Sequence, residues 1–327
     1  MINIVASFID TTKMLIKVFK SNQNLINGLV ILLTIFLWLP SFFTPPENSL
    51  IAMVSTGFNW LDISIAILLI AAQAIYLNSI VNEYKLVENN THLTSLIFVI
   101  FNSCFFSLFV LNQVVIANSF VLLGVHQLLR LYDNKSSYSL SFNAGFLLSI
   151  ATVIYLPNAI FLCLLWIGLI YMISPSWRDL VITLLGFSVP VVYFISYHFI
   201  VGDLAVLELI THNSTVFSFE WDHLSVLHKL LLSLVVGILL MAFFRLSVTI
   251  NSGGLRRHKM LKMIVLMSVF SLGSLLFNGL DYLATFVVLT IPSSIVVANL
   301  FQHMKKKWLA ELLFTFLLGV MLLDYFS

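Results

Sequence analysis

Four of the fourteen acidic residues and two of the eight histidines fall in one stretch, 202–224, which closes on Phe219-Glu220-Trp221-Asp222-His223. Carboxylates one residue apart, flanked by imidazoles, are donors for a hard divalent cation or a general base near neutral pH. The spacing follows no strict metal signature. His212, Glu220, Trp221, Asp222 and His223 are therefore candidate substrate-binding residues, with a divalent cation as the cofactor an enzyme would use here. The competing reading is a solvated loop anchored by its aromatics. A second acidic group brackets 44–60, with Pro45-Pro46-Glu47-Asn48 at its start and Phe58-Asn59-Trp60-Leu61-Asp62 at its end. Glu47 and Asp62 are the candidate catalytic carboxylates. A third group, His126 and Arg130, stands one helical turn apart at the end of an apolar run. Such a pair can receive a lipid phosphate, while plain snorkelling of Arg130 is the simpler alternative. Ser252-Gly253-Gly254 precedes Arg256-Arg257-His258-Lys259, but without a Walker pattern this is read as a basic loop.

The elements that must position these groups follow from composition. The chain of 327 residues is 60% hydrophobic and 9% charged, where soluble domains average about 45–50% and about 25%. Thirty charges cannot solvate such a globule, which excludes a soluble enzyme, a disordered chain and a secreted disulfide scaffold. A net charge of +2 offers no phosphate-binding face, so no nucleic-acid partner is expected. The partner is a lipid bilayer. Crossing it takes about 20 apolar residues per helix, and eleven runs qualify, with ten to twelve as the range. They lie near 27–43, 61–80, 94–112, 114–132, 142–157, 158–174, 180–201, 225–245, 262–278, 281–302 and 309–325. Their continuity excludes a barrel, whose strands alternate with period two. The junctions at 112–114 and 157–158 are tight enough to be either hairpins or half-helix breaks.

The fold class expected is an all-α polytopic transmembrane bundle, formed by residues 25–327 as one unit. Placing the N-terminus inside and the C-terminus outside puts fifteen of sixteen Lys and Arg on the cytoplasmic side, leaving Lys229 outside. This is the bias that orients membrane proteins. Residues 1–24 carry Lys13, Lys17 and Lys20 on one face and apolar residues at helical spacing. They are expected to form an interfacial amphipathic helix on the cytoplasmic leaflet rather than a cleaved signal. Cys104 and Cys163 sit in apolar runs as small core residues.

Charges are absent from the span centres. Gln73, Asn102, Asn118, Gln127, Asn143 and Asn299 are expected to join helices by hydrogen bonds. A buried carboxylate relay of the kind an ion-coupled carrier needs is missing. Eight of the fourteen acids face outward in this orientation, and insertion does not require them there.

An acidic residue just past the first span, followed by an interfacial helix, resembles the layout of GT-C membrane glycosyltransferases. That resemblance implies a polyprenyl-phosphate sugar donor and an external carboxylate, Glu47 or Asp62, as base or metal ligand. The paired acidic motif of that class is absent. A closer resemblance is carried by Lys17-Val18-Phe19-Lys20-Ser21-Asn22-Gln23-Asn24, Leu128-Leu129-Arg130-Leu131-Tyr132, Phe142-Asn143-Ala144-Gly145-Phe146, Tyr155-Leu156-Pro157, Trp177-Arg178-Asp179 and Tyr197-His198-Phe199. These are similar to an uncharacterised Bacteroidota family of multi-pass inner-membrane proteins, whose members begin near the equivalent of Met14. The role expected is in the cell envelope of a bacterial inner membrane. Its specific form is a GT-C-like sugar transferase. The alternative is a non-enzymatic scaffold for other envelope proteins, or a carrier of a lipid or other hydrophobic substrate.

Overall fold

The computed structural model describes residues 25–43, 58–87, 91–133, 138–173, 175–202, 226–249, 254–274, 282–304 and 307–325. Glu47, the five candidates between His212 and His223, and the amphipathic helix expected in 1–24 lie outside them. The described residues form eleven α-helices and no strand. In chain order these are α1 Leu25–Trp38, α2 Asn59–Glu83, α3 Leu93–Asn102, α4 Gln113–Arg130, α5 Tyr138–Ile154 and α6 Phe161–Ile173. They continue as α7 Trp177–Val201, α8 Val226–Thr249, α9 Leu255–Gly273, α10 Tyr282–His303 and α11 Lys307–Tyr325.

Five of them, α2, α4, α7, α8 and α10, are long and apolar enough to cross a membrane. The expected run 94–112 is corrected. α3 stops after ten residues, about 15 Å at 1.5 Å per residue, and the chain continues through Leu111 with only a short 3-10 turn at Phe106–Leu108. Side chains from elsewhere take over the polar groups at the break. Trp38 donates its indole N–H to Ser103 Oγ at 3.1 Å, and the Tyr325 hydroxyl donates to the Ser103 carbonyl. Asn112 then caps α4 by accepting from the Val115 amide at 2.8 Å. Non-helical backbone inside so apolar a bundle needs protein to cover it, and Ser103, Cys104, Phe105, Leu108, Phe109, Leu111 and Asn112 are all buried. The tight junction at 157–158 resolves as a hairpin, with α5 and α6 joined by a 3-10 turn over Leu156–Ile160.

α10 is the axis. Of its most apolar window 94% is buried, against 11% for α7. α3, buried along its whole length, packs on α10, as do α4, α8 and α9. α1 and α2 cover α3, α5 lies on α4, α11 lies on α8, and α7 sits outermost on α5. The α5–α7 contact is a backbone approach. A Cβ added to Gly145 would lie 2.3 Å from the Thr183 carbonyl oxygen, and one on Gly186 would lie 2.3 Å from that of Phe142. Small residues permit this in apolar surroundings, where close packing replaces the hydrophobic effect as the source of attraction. Several of the expected amide bridges are present. Gln73 of α2 donates to the Val115 carbonyl of α4 at 2.8 Å, and Asn299 of α10 reaches the Leu86 carbonyl at 3.5 Å. Asn102 instead bonds back to Phe98 in its own helix. Cys104 is buried, but Cys163 is exposed on α6, which corrects its reading as a core residue.

Contacts sort the helix termini to two opposite ends. At the basic end, Arg256 at the start of α9 meets Asp133 beyond α4 at 2.6 Å, and Lys259 lies over Tyr132 and over Tyr171 near the end of α6. At the aromatic end, Trp38, Phe106, Phe109 and Tyr325 form a continuous ring cluster, and Phe105 beside it packs on His228 and Phe286.

Candidate functional site

The aromatic end is built from the termini of three helices and the break after α3. Trp38 closes α1 and stacks on Phe109 with ring centroids 4.7 Å apart. Tyr325 closes α11 and meets Phe109 edge-on at 5.1 Å. His228 opens α8 with its ring 4.7 Å from that of Phe105. Against this wall, His228 Nδ1 stands 3.5 Å from Asp324 Oδ2, with the two side chains 14% and 7% exposed. Carboxylates are almost never this buried unless paired. A carboxylate facing one ring nitrogen holds the proton on that nitrogen, which makes the opposite nitrogen the basic one. The arrangement can therefore orient an imidazole for proton transfer.

Asp62 lies in the first turn of α2 and is 8% exposed. A negative charge there is favoured by the unpaired amides and dipole of the helix start. Phe58 and Trp60, both exposed, precede it with ring centroids 6.4 Å apart, which is the disposition of aromatics at a membrane surface. The turn Leu39–Phe42 that ends the α1 run contacts α2, so Asp62 belongs to the aromatic end with His228 and Asp324.

His126 and Arg130 lie at the other end. The His126 ring is turned into the protein, with Nδ1 2.5 Å from the Tyr76 hydroxyl and Nε2 facing Glu83 Oε2 at 3.5 Å. Arg130 is exposed. The imidazole belongs to a Tyr76–His126–Glu83 chain. Just outside the helix, the Tyr84 phenol is pushed well above its usual range, chiefly by burial and then by Glu83. Among the described residues no group of three or more His, Cys, Asp or Glu is placed to hold a metal ion.

The His228–Asp324 pair is the part that sequence reasoning missed. Asp324 is one of the eight acids that face outward in the expected orientation, but nothing in the spacing links it to a histidine almost a hundred positions earlier. The usable signal was weaker: each is a polar residue within a turn of the end of an apolar run.

A bundle of apolar helices with its polar side chains sorted to two ends is compatible with a membrane-embedded protein. The chain belongs to a family of unknown function, DUF6427, whose pattern matches residues 14–327 and leaves out the first thirteen. Neither the curated proteins nor the solved structures contain a match to it.

Proposed function

We propose that the protein is a multi-pass component of the bacterial inner membrane, crossing it eleven times with its basic end in the cytoplasm. Its working surface is the aromatic end, facing the cell envelope, and its activity is a GT-C-like sugar transfer from a polyprenyl-phosphate donor. The observation that carries this reading is the half-buried His228–Asp324 pair, set at the same end as Asp62. In this reading Asp62 or Glu47 is the base or metal ligand. His228, oriented by Asp324, moves a proton at the acceptor, and segment 202–224 shapes the acceptor site with His212, Glu220, Trp221, Asp222 and His223. The positive-inside bias supports the orientation.

A second reading has its own observation. Where α3, α8, α10 and α11 meet, between Ile97, Phe101, Val297 and Phe314, the remaining space is about 10 Å³, at most one water. So dense a centre favours a scaffold for other envelope proteins over a carrier of a hydrophobic substrate.

Separate strains carrying Glu47→Gln, Asp62→Asn, His228→Gln and Asp324→Asn, compared with a deletion strain, test the enzyme. The transferase reading expects altered envelope glycans in the deletion strain and in His228→Gln at normal protein level. Normal glycans throughout remove it in favour of the scaffold. Cysteine labelling at Ser214 from the periplasm and at Ser252 from the cytoplasm tests the orientation, and the reverse pattern overturns it.

A further inference from the structure

α6 and α9 run antiparallel, and three contacts fix their register. Gly273 at the end of α9 sits against Ile160 just before α6, and Gly168 sits against Met263. At the basic end of this seam the Lys259 ammonium donates to the Met172 carbonyl at 3.4 Å. Lys259 and Lys262 stand three apart on α9, which makes them neighbours on one helix face. Both ammonium groups come to the Tyr171 ring, 5.8 and 5.7 Å from its centroid, and Lys259 lies 5.8 Å from the centroid of Tyr132. These are cation–π distances.

The polar atoms gathered here are donors with too few acceptors. Among the described residues no carboxylate pairs with Lys259 or Lys262. Three acids of this end are engaged elsewhere: Asp133 with Arg256, Glu83 with His126, and Asp179 with Ser176. Lys259 gives one of its protons to the Met172 carbonyl, which leaves two more. Neither the Tyr132 nor the Tyr171 hydroxyl has a hydrogen-bond partner among the described residues. Orientation in a membrane accounts for basic residues at this end. It does not account for two like charges, which repel at this spacing, being drawn to one ring. An anion between them removes the repulsion, and phosphate oxygens accept from ammonium and phenol donors together.

The surface next to the donors indicates what carries the phosphate. Ile167 lies one turn from Tyr171 on the same face of α6, and Val269 lies two turns from Lys262 on the same face of α9. Both are exposed, as is Ile170. A soluble phosphate makes no use of these side chains, whereas an acyl chain attached to the headgroup lies along them.

We propose that Lys259 and Lys262, with the phenols of Tyr132 and Tyr171, hold the phosphodiester headgroup of an anionic membrane lipid. Basic side chains between helices at the cytoplasmic surface bind such headgroups by charge and donor count. The site stands apart from His228 and Asp324 and does not depend on the transferase reading. It rests on the membrane-embedded reading, which recovery of the full-length protein in the membrane fraction tests separately. Failure there removes both, whereas failure of the lipid test on membrane-recovered protein removes this proposal alone.

The full-length protein in detergent is titrated with phosphatidylglycerol and, separately, with phosphatidylcholine, and native mass spectrometry counts the bound lipid. The expected result is several-fold tighter retention of phosphatidylglycerol, lost when Lys259→Gln and Lys262→Gln are combined. Lys85→Gln combined with Arg178→Gln removes the same charge from exposed positions at the same end and is expected to keep the preference. If the double lysine variant does not fold, Lys262→Gln alone, at an exposed position, is expected to weaken it. Equal retention of the two lipids overturns the proposal. So does an equal loss in the charge-matched control, which would reduce the effect to diffuse attraction. In a second arm inorganic phosphate is added to the lipid-bound protein. Displacement of phosphatidylglycerol at millimolar phosphate gives the site to a soluble ligand and overturns the lipid assignment.

Discussion

Asn118 of α4 donates its side-chain amide to the Val287 carbonyl of α10 at 2.8 Å, across 169 positions of chain. The same carbonyl accepts from the Thr290 hydroxyl at 2.6 Å, so it keeps one partner when the amide is removed. Interhelical hydrogen bonds in lipid contribute about 0.6 kcal/mol on average and up to about 1.7. Asn118→Val, which removes the amide with a modest change in side-chain volume at a site 1% exposed, is expected to cost an amount within that span. Reversible unfolding in mixed micelles measures it, and a cost several times larger would show that the amide does more than bridge.

The glycines divide by what surrounds them. Gly186→Ala drives a methyl group against the Phe142 backbone, with no flexible side chain to give way. Overpacking of this kind costs about 1–3 kcal/mol or more, and the expected outcome is a lower melting temperature with α7 loosened from α5. Gly237 and Gly319 have nothing within 4 Å of the added carbon. Alanine at either is expected to be neutral or to stabilise by up to about 1 kcal/mol through helix propensity. Thermal melts of the three variants in one detergent check both halves.

Trp38 is fully buried and does two things, stacking on Phe109 and donating to Ser103. Trp38→Phe keeps the first and loses the second, for an expected cost of about 1 kcal/mol. Trp38→Ala loses both and opens a cavity beside the α3 break. Its cost is expected near the low end of the roughly 3–5 kcal/mol seen for such changes in soluble cores, because lipid supplies no water-transfer contribution. The ratio of the two is the informative quantity, read from the same melts.

His92, just before α3, has its imidazole held below the ordinary 6.5 by burial. Asn78 faces its Nδ1 at 3.2 Å, an arrangement for a neutral ring that accepts from the amide. Below about pH 6.5 the unfolded chain takes up a proton at this side chain that the folded chain does not. Stability is therefore complete above that pH, and falls as the pH drops toward the lowered folded value. Melts between pH 7.5 and pH 5 should show a slope that His92→Gln reduces, and an unchanged slope would assign it to other groups.

The helices were largely legible because composition leaves few alternatives. Apolar runs bounded by charges or prolines give helices whatever their neighbours are, and all eleven runs contain one. What periodicity could not show was where a helix stops inside an apolar run. Phe101 through Leu111 reads as continuous span, and at its break Ser103 is met by Trp38 and Tyr325, about 65 and 220 residues away. The candidate site was hidden for the same reason. The pairing of His228 with Asp324 is a tertiary fact, whereas Asp62 was readable from its place beside interfacial aromatics. The spacing of His126 and Arg130 was readable, whereas the Tyr76 and Glu83 contacts of the His126 ring come from another helix and were not.

The ten-residue α3 has a consequence for how the chain is made. A segment that short, followed by open backbone, gives the insertion machinery nothing it can release into lipid on its own. Its burying partner, α10, is synthesised some 180 residues later. During that interval α3 must be sheltered by α1 and α2, or held at the translocation channel, until α10 arrives to cover it. Ribosomes stalled before α10 should therefore leave α3 accessible to aqueous modification, whereas α2, long enough to partition alone, should already be protected.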